Sequence, residues 1–82
     1  MNKEFVFERL KQLIIVYTYP TLPERNSDIM GNPCFMPAHD AAAFFIDIEK
    51  EFSIDLNELL PFLKTFSMDD IAERVSNYYD KK

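Results

Sequence analysis

The chain has 82 residues, one Cys and a formal net charge of −5 at pH 7. This length predicts a single domain spanning 1–82, and one Cys with one His excludes an internal disulfide and a Cys/His zinc site. The longest apolar run, residues 41–46, is too short to cross a bilayer, and the first residues do not read as a signal peptide. We therefore expect a cytoplasmic protein with no membrane span, and a monomer.

The negative charge is concentrated in one part of the chain. Acidic and basic residues balance over residues 1–37, whereas six acids and one Lys between residues 40 and 58 supply a net charge of −5. Phosphate binding needs clustered Lys and Arg, so we do not expect nucleic acid as a partner. A basic patch on another protein is favoured instead.

The first forty residues predict one helix followed by a long loop. Apolar residues at i, i+4, i+7, i+8 and i+11 form one helical stripe, and they are Val6, Leu10, Leu13, Ile14 and Tyr17. Asn2 suits the N-cap, and Pro20 and Pro23 require the helix to end near Tyr19. Residues 20–36 then form a loop that we expect four apolar side chains to hold against the bundle: Leu22, Ile29, Met30 and Phe35.

Two neighbouring stripes are predicted along a second helix, which should run from Pro37 or Asp40 to Phe52. The first is apolar and should be buried; it consists of Ala41, Phe45, Ile48 and Phe52. The second lies about 100° round the helix and consists of Asp40, Phe44, Asp47 and Glu51. Because this stripe is mostly acidic, we expect it in solvent as a partner-docking surface, with Phe44 as its apolar anchor. If charge does not govern binding, the interface should lie in the loop around residues 29–35.

Two further helices complete an all-α prediction. Asn57 suits the cap of a short helix over residues 58–64, and residues 67–70 resemble a capping box. A last helix then buries a stripe of five residues, which are Met68, Ile71, Ala72, Val75 and Tyr79. We expect three longer helices and one short helix around a core that holds Phe45, Ile48 and Phe52 together with Leu10, Ile14, Ile71 and Val75.

Two segments are similar to acyl carrier proteins. Residues 48–56 read Ile-Glu-Lys-Glu-Phe-Ser-Ile-Asp-Leu and resemble the family's Leu-Glu-x-x-Phe-Gly-Ile-x-Ile, and residues 65–71 resemble its approach to the last helix. The resemblance implies an acyl-carrier-like bundle that docks on enzymes through an acidic second helix. In that family a phosphopantetheine arm is esterified to a serine at the start of this helix.

The arm site departs from the family. Counting back from Phe52 places Ala38 at the serine position, and residues 36–39 read Met-Pro-Ala-His in place of Leu-Asp-Ser-Leu. Alanine has no hydroxyl, so we expect no phosphopantetheine and no other cofactor. The prediction is a non-enzymatic interaction module that docks on a biosynthetic enzyme. Carrier-related proteins encoded with peptide-maturation systems resemble it in size and in lacking a clear arm site.

Two alternatives use other residues. The chain is a working carrier if Cys34 or Ser27 accepts the arm or the acyl group. It is a small thiol-dependent enzyme if His39 activates the sulfur of Cys34, which is the usual route to a thiolate nucleophile. The aromatic residues Phe62, Phe66, Tyr78 and Tyr79 are interpreted as core rather than as a ligand pocket.

Overall fold

The first helix, α1, spans Lys3–Thr18 in a computed structural model that describes residues 2–31 and 35–80. The side-chain oxygen of Asn2 accepts hydrogen bonds from the backbone N–H groups of Glu4 at 2.7 Å and Phe5 at 3.3 Å. These bonds satisfy donors that every helix N-terminus leaves free, so the predicted N-cap is confirmed. Val6, Leu10 and Ile14 of the predicted stripe are buried.

The loop that follows α1 is held by backbone hydrogen bonds and by buried side chains. The N–H of Ile29 donates to the carbonyl of Phe66 at 3.0 Å, and the N–H of Met36 donates to the carbonyl of Ile29 at 3.1 Å. The Ile29 and Met36 side chains are buried. Of the four apolar residues expected to hold the loop, only Ile29 does so, because Leu22, Met30 and Phe35 are exposed.

The second helix, α2, spans Ala38–Phe52 and buries a wide face. Its buried residues are Ala41, Phe44, Phe45, Ile48 and Phe52. The predicted apolar stripe is therefore confirmed, and Phe44 from the neighbouring stripe is buried with it. The helix stops at Ser53, which adopts a left-handed conformation with φ of 52°.

A short helix, α3, spans Leu56–Leu59 and continues as a 3-10 turn over Leu60–Phe62. The predicted cap at Asn57 is wrong, since the carboxylate of Asp55 accepts the N–H of Asn57 at 2.8 Å. An α-helix over residues 58–64 is also wrong. Pro61 has no N–H to donate, which favours a tight turn over a continued helix.

The last helix, α4, spans Met68–Asp80, and its start is held by hydroxyl groups. The Oγ of Ser67 accepts the N–H of Asp70 at 3.2 Å, which is the first half of a capping box. The second half is absent because the Asp70 carboxylate accepts the Thr65 N–H at 3.2 Å and hydroxyl at 2.6 Å instead. Thr65 in turn accepts the N–H of Ser67.

The all-α prediction is confirmed. Residues 2–31 and 35–80 contain helices and an isolated bridge between Asp28 and Ser67, but no β-strand. All seven residues predicted to meet in the core are buried in one cluster, and Phe66, Tyr78 and Tyr79 pack against it. Phe62 was interpreted as core but is exposed. Across the same described ranges, no helix has the length and apolar character needed to span a membrane.

Arg25 fastens the loop to the starts of two helices. Its guanidinium donates to Glu4 of α1 at 2.5 Å and to Asp69 of α4 at 2.8 Å, and it lies 4.3 Å from the centre of the Phe7 ring. The Arg25 carbonyl accepts the N–H of Asp69 at 2.9 Å. The hydrogen bonds from Arg25 hold the pKa of both carboxyl groups below their ordinary values. We call these residues the Arg25 clasp.

Replacing Arg25 with Gln should lower stability at neutral pH and make the remaining stability less sensitive to acid. A carboxyl whose pKa is lower in the folded state stabilises the fold above its unfolded pKa of about 4. That contribution is lost as the pH falls through the folded pKa. The free-energy difference between wild type and variant should therefore be present at pH 7 and shrink below about pH 4.

Urea unfolding at several pH values measures this difference, with Lys64→Gln as a control that removes the same charge elsewhere. A difference that does not change with pH would show that the Arg25 carboxylate pairs contribute nothing. In that case the loss would come from the guanidinium packed over the Phe7 ring.

Candidate functional site

Ala38 lies at the exposed start of α2. It is the first residue of the helix, and Pro37 before it makes no side-chain cap. The carbonyl of Pro37 accepts the first helical hydrogen bond, from the N–H of Ala41 at 3.0 Å. A serine at position 38 would therefore present its hydroxyl at an open helix start. The alanine methyl that is there can form no ester.

Phe44 was predicted to be the exposed anchor of the docking surface, and this is wrong. Its side chain is fully buried. The Phe44 ring meets Tyr17 of α1 edge-on, with centroids 6.4 Å apart, and lies 5.8 Å from the ring of Phe45. Because α1 packs over this side of α2, the buried face of α2 is wider than one stripe.

The three acidic residues of the predicted stripe lie where α2 meets α1. The Tyr17 hydroxyl donates to Asp47 at 2.5 Å, and this bond raises the pKa of the Tyr17 phenol. Arg9 donates to Glu51 through Nε at 3.2 Å and through the terminal nitrogen at 2.7 Å. Asp40 is half-buried. These carboxylates are partly exposed and mostly engaged, so they border the outer surface of α2 rather than forming its centre.

The outermost face of α2 consists of different residues. His39, Ala42, Ile46 and Lys50 are exposed at i, i+3, i+7 and i+11, and we call them the outer face. Ile46 is its one large apolar side chain and is 44% exposed. The periodicity of the sequence contained this stripe too. Choosing between the stripes required knowing on which side α1 packs.

The structure does not test the predicted pairing of Cys34 with His39. Cys34 lies outside the described residues. The His39 side chain is 84% exposed, and its Nε2 lies 3.2 Å from a carboxylate oxygen of Asp40. The Ser27 hydroxyl donates to Glu24 at 3.4 Å, within a turn that the N–H of Ser27 closes to the Glu24 carbonyl.

A groove of about 290 Å³ lies between the 3-10 turn and α4. Its lining residues are Phe62, Lys64, Asp70, Glu73, Arg74 and Asn77. Arg74 is already engaged, since its Nε donates to the carbonyl of Glu58 at 2.9 Å and its guanidinium lies 4.2 Å from the Phe62 ring centre. Within residues 2–31 and 35–80, no three His, Cys, Asp or Glu side chains are grouped to hold a metal ion.

Phe35 is an exposed aromatic residue with an unusual backbone conformation that no sequence pattern predicts. Its φ is +48°, in the left-handed region, and its side chain is 66% exposed. A non-glycine residue held there is strained by on the order of 1–3 kcal/mol. The N–H of Phe35 donates to the carbonyl of Gly31 at 2.7 Å.

No protein-family model, characterised protein or solved structure matches this chain. The likeness to acyl carrier proteins therefore stays a prediction that depends on residues 36–39, 48–56 and 65–71.

Proposed function

We propose that this protein is a non-enzymatic, acyl-carrier-like interaction module. It docks through α2 on a basic patch of a biosynthetic or peptide-maturation enzyme and carries no phosphopantetheine arm. The observation that carries the proposal is Ala38, which occupies the exposed first position of an acidic helix. That position is where the resemblance calls for an arm-bearing serine.

The charge on and around α2 supports docking on a basic surface. Residues 40–58 contribute −5, while Arg9 of α1 offsets Glu51 alone among the four α2 acids. Asp40 and Asp47 keep partial exposure beside the outer face. A surplus of one charge sign steers the approach of an oppositely charged protein, and this long-range effect does not require fully exposed carboxylates.

We assign the apolar contact at such an interface to Ile46 in place of Phe44. A buried Phe44 contributes to the core and has no surface to offer a partner. Ile46 lies in the middle of the outer face, between Ala42 and Lys50. Small neighbours on one side leave the Ile46 side chain accessible to a shallow pocket, which is how a single apolar anchor contributes to a transient interface.

A non-enzymatic role is supported by the engagement of the α2 carboxylates. Acid–base chemistry needs a group poised to exchange a proton with a substrate. Asp47 instead accepts the Tyr17 hydroxyl, and Glu51 pairs with Arg9. Both bonds join α1 to α2, so both carboxylates have a structural use.

Charge reversal on α2 should weaken partner binding. Glu49 is half-buried. Glu49→Lys should slow association several-fold, and raising the salt concentration should mimic it, because charges at a partly exposed surface are screened over about 8–10 Å. Ile46→Ser should weaken affinity about tenfold, or ~1.4 kcal/mol, through faster dissociation. Asp47 and Glu51 are unsuitable for this test, since a Lys at either position would break a bond to α1.

Binding kinetics with the purified partner enzyme measure both effects. Glu73→Lys on α4 and Val16→Ser on α1 are matched controls, because Glu73 is exposed and Val16 is 77% exposed. All four variants should keep the wild-type melting temperature. If Glu49→Lys, Ile46→Ser and added salt all leave the binding kinetics unchanged, α2 is ruled out as the docking surface.

A further inference from the structure

The backbone around Phe35 is hydrogen-bonded although its ring is exposed. Its own N–H is bonded to the Gly31 carbonyl, and the next N–H, of Met36, is bonded to Ile29. The side chains of Ile29 and Met36 are buried in the core. Two main-chain hydrogen bonds therefore hold the backbone at Phe35 and Met36, which reduces the conformational freedom that is lost when the ring binds.

The conformation of Phe35 works against the stability of the free protein. A bulky side chain at φ of +48° is unfavourable, and a residue such as Gly or Asn would relieve the strain. An exposed ring gains little from burial in return. A strained residue that the fold does not need points to a use outside the chain.

Two other Phe rings of this protein have an Arg over them, and the Phe35 ring has none among the described residues. Arg25 lies over Phe7, and Arg74 lies over Phe62, and each of these Arg residues also pairs with a carboxylate. Residues 26–49 contain four carboxylates and no Lys or Arg. Among the described residues, no Arg or Lys lies over the Phe35 ring.

We propose that Phe35 is a preformed aromatic anchor for an apolar pocket rimmed by Arg or Lys on the partner enzyme. The inference rests on the proposed docking function and adds the chemistry of the partner's binding site. An Arg at the rim would stack on the ring, and the negative charge of residues 26–49 would attract it. A second copy of this chain would bring the same carboxylates, and an anionic bilayer would repel them, so the charge favours a basic protein pocket.

Site-specific photo-cross-linking tests the anchor in the full-length protein. Phe35 is replaced by p-benzoylphenylalanine in source cells, with the same replacement of Phe5 as the control, because Phe5 is 56% exposed on α1. We expect position 35 to cross-link to one protein through a peptide that joins apolar residues to Arg or Lys. An adduct with a second copy, an adduct with lipid, equal yields at both positions or no adduct would overturn the proposal.

Phe35→Asn separates an anchor from a structural residue. Asn tolerates the left-handed region, so the melting temperature should stay unchanged or rise, while partner affinity should fall about tenfold. A marked drop in melting temperature would make Phe35 structural and overturn the proposal. If Glu49→Lys weakens binding but Phe35→Asn does not, the anchor is wrong and docking through α2 stands. If Phe35→Asn weakens binding but Glu49→Lys does not, docking through α2 is wrong and the anchor stands.

Discussion

Truncating Phe44 to Ala should lower the free energy of unfolding by about 3–5 kcal/mol. The ring is fully buried between α1 and the core, and it has aromatic neighbours on both sides in Tyr17 and Phe45. Alanine would leave a cavity and remove edge contacts that contribute about 0.5–1.5 kcal/mol beyond burial alone. Since small domains have about 5–15 kcal/mol in total, this variant should be near the limit of folding.

Urea unfolding followed by circular dichroism measures the loss. Phe62→Ala is the matched control, because it removes the same ring from an exposed site where only the stacking of Arg74 is lost. That change should lower the free energy of unfolding by no more than about 1 kcal/mol. Equal losses for the two variants would mean that Phe44 is not the core residue described above.

Restoring the arm motif should convert the protein into a substrate for a phosphopantetheinyl transferase. The wild-type chain, co-expressed with a broad-specificity transferase, should show no mass gain. Pro37→Asp with Ala38→Ser, and His39→Leu where needed, should gain one arm, because position 38 is exposed at the first turn of α2. We therefore expect no modification of the wild type and nearly complete modification of the variant.

Intact mass with peptide mapping decides the result. Ala42→Ser is the matched control, since it adds a hydroxyl to an exposed position of the same helix one turn further on, and it should stay unmodified. An arm on the wild-type protein at Cys34 or Ser27 would make it a working carrier and overturn the proposed function. If the triple variant folds but gains no mass, the alignment that places Ala38 at the arm position is wrong.

The three longer helices were predictable, because each is an amphipathic segment. Asn2 capped α1 as expected, and the stripe from Met68 to Val75 turned inward on α4. The cap of α3 moved from Asn57 to Asp55, since both side chains suit that position and only the path of the chain after Ser53 decides between them.

The candidate surface was less predictable than the helices because it depends on how the helices pack. Phe44 lies next to the buried stripe of α2, whereas Ile46 lies on the outer face. Periodicity does not show which flank of the buried stripe a neighbouring element covers, because the side covered by α1 depends on contacts between residues far apart in the chain. The left-handed conformation of Phe35 accompanies main-chain bonds from Phe35 to Gly31 and from Met36 to Ile29, which no local residue preference signals.

The Arg25 clasp has a consequence for the lifetime of the folded state. Arg25 and Asp69 are 44 positions apart, and their contact encloses the whole of α2 and α3. Contacts at such separation carry a large loop-closure entropy, so we expect this one to form after the rate-limiting step of folding. Bonds absent from the transition state slow unfolding and leave the folding rate almost unchanged. The Arg25 clasp would therefore lower the rate at which the long loop opens.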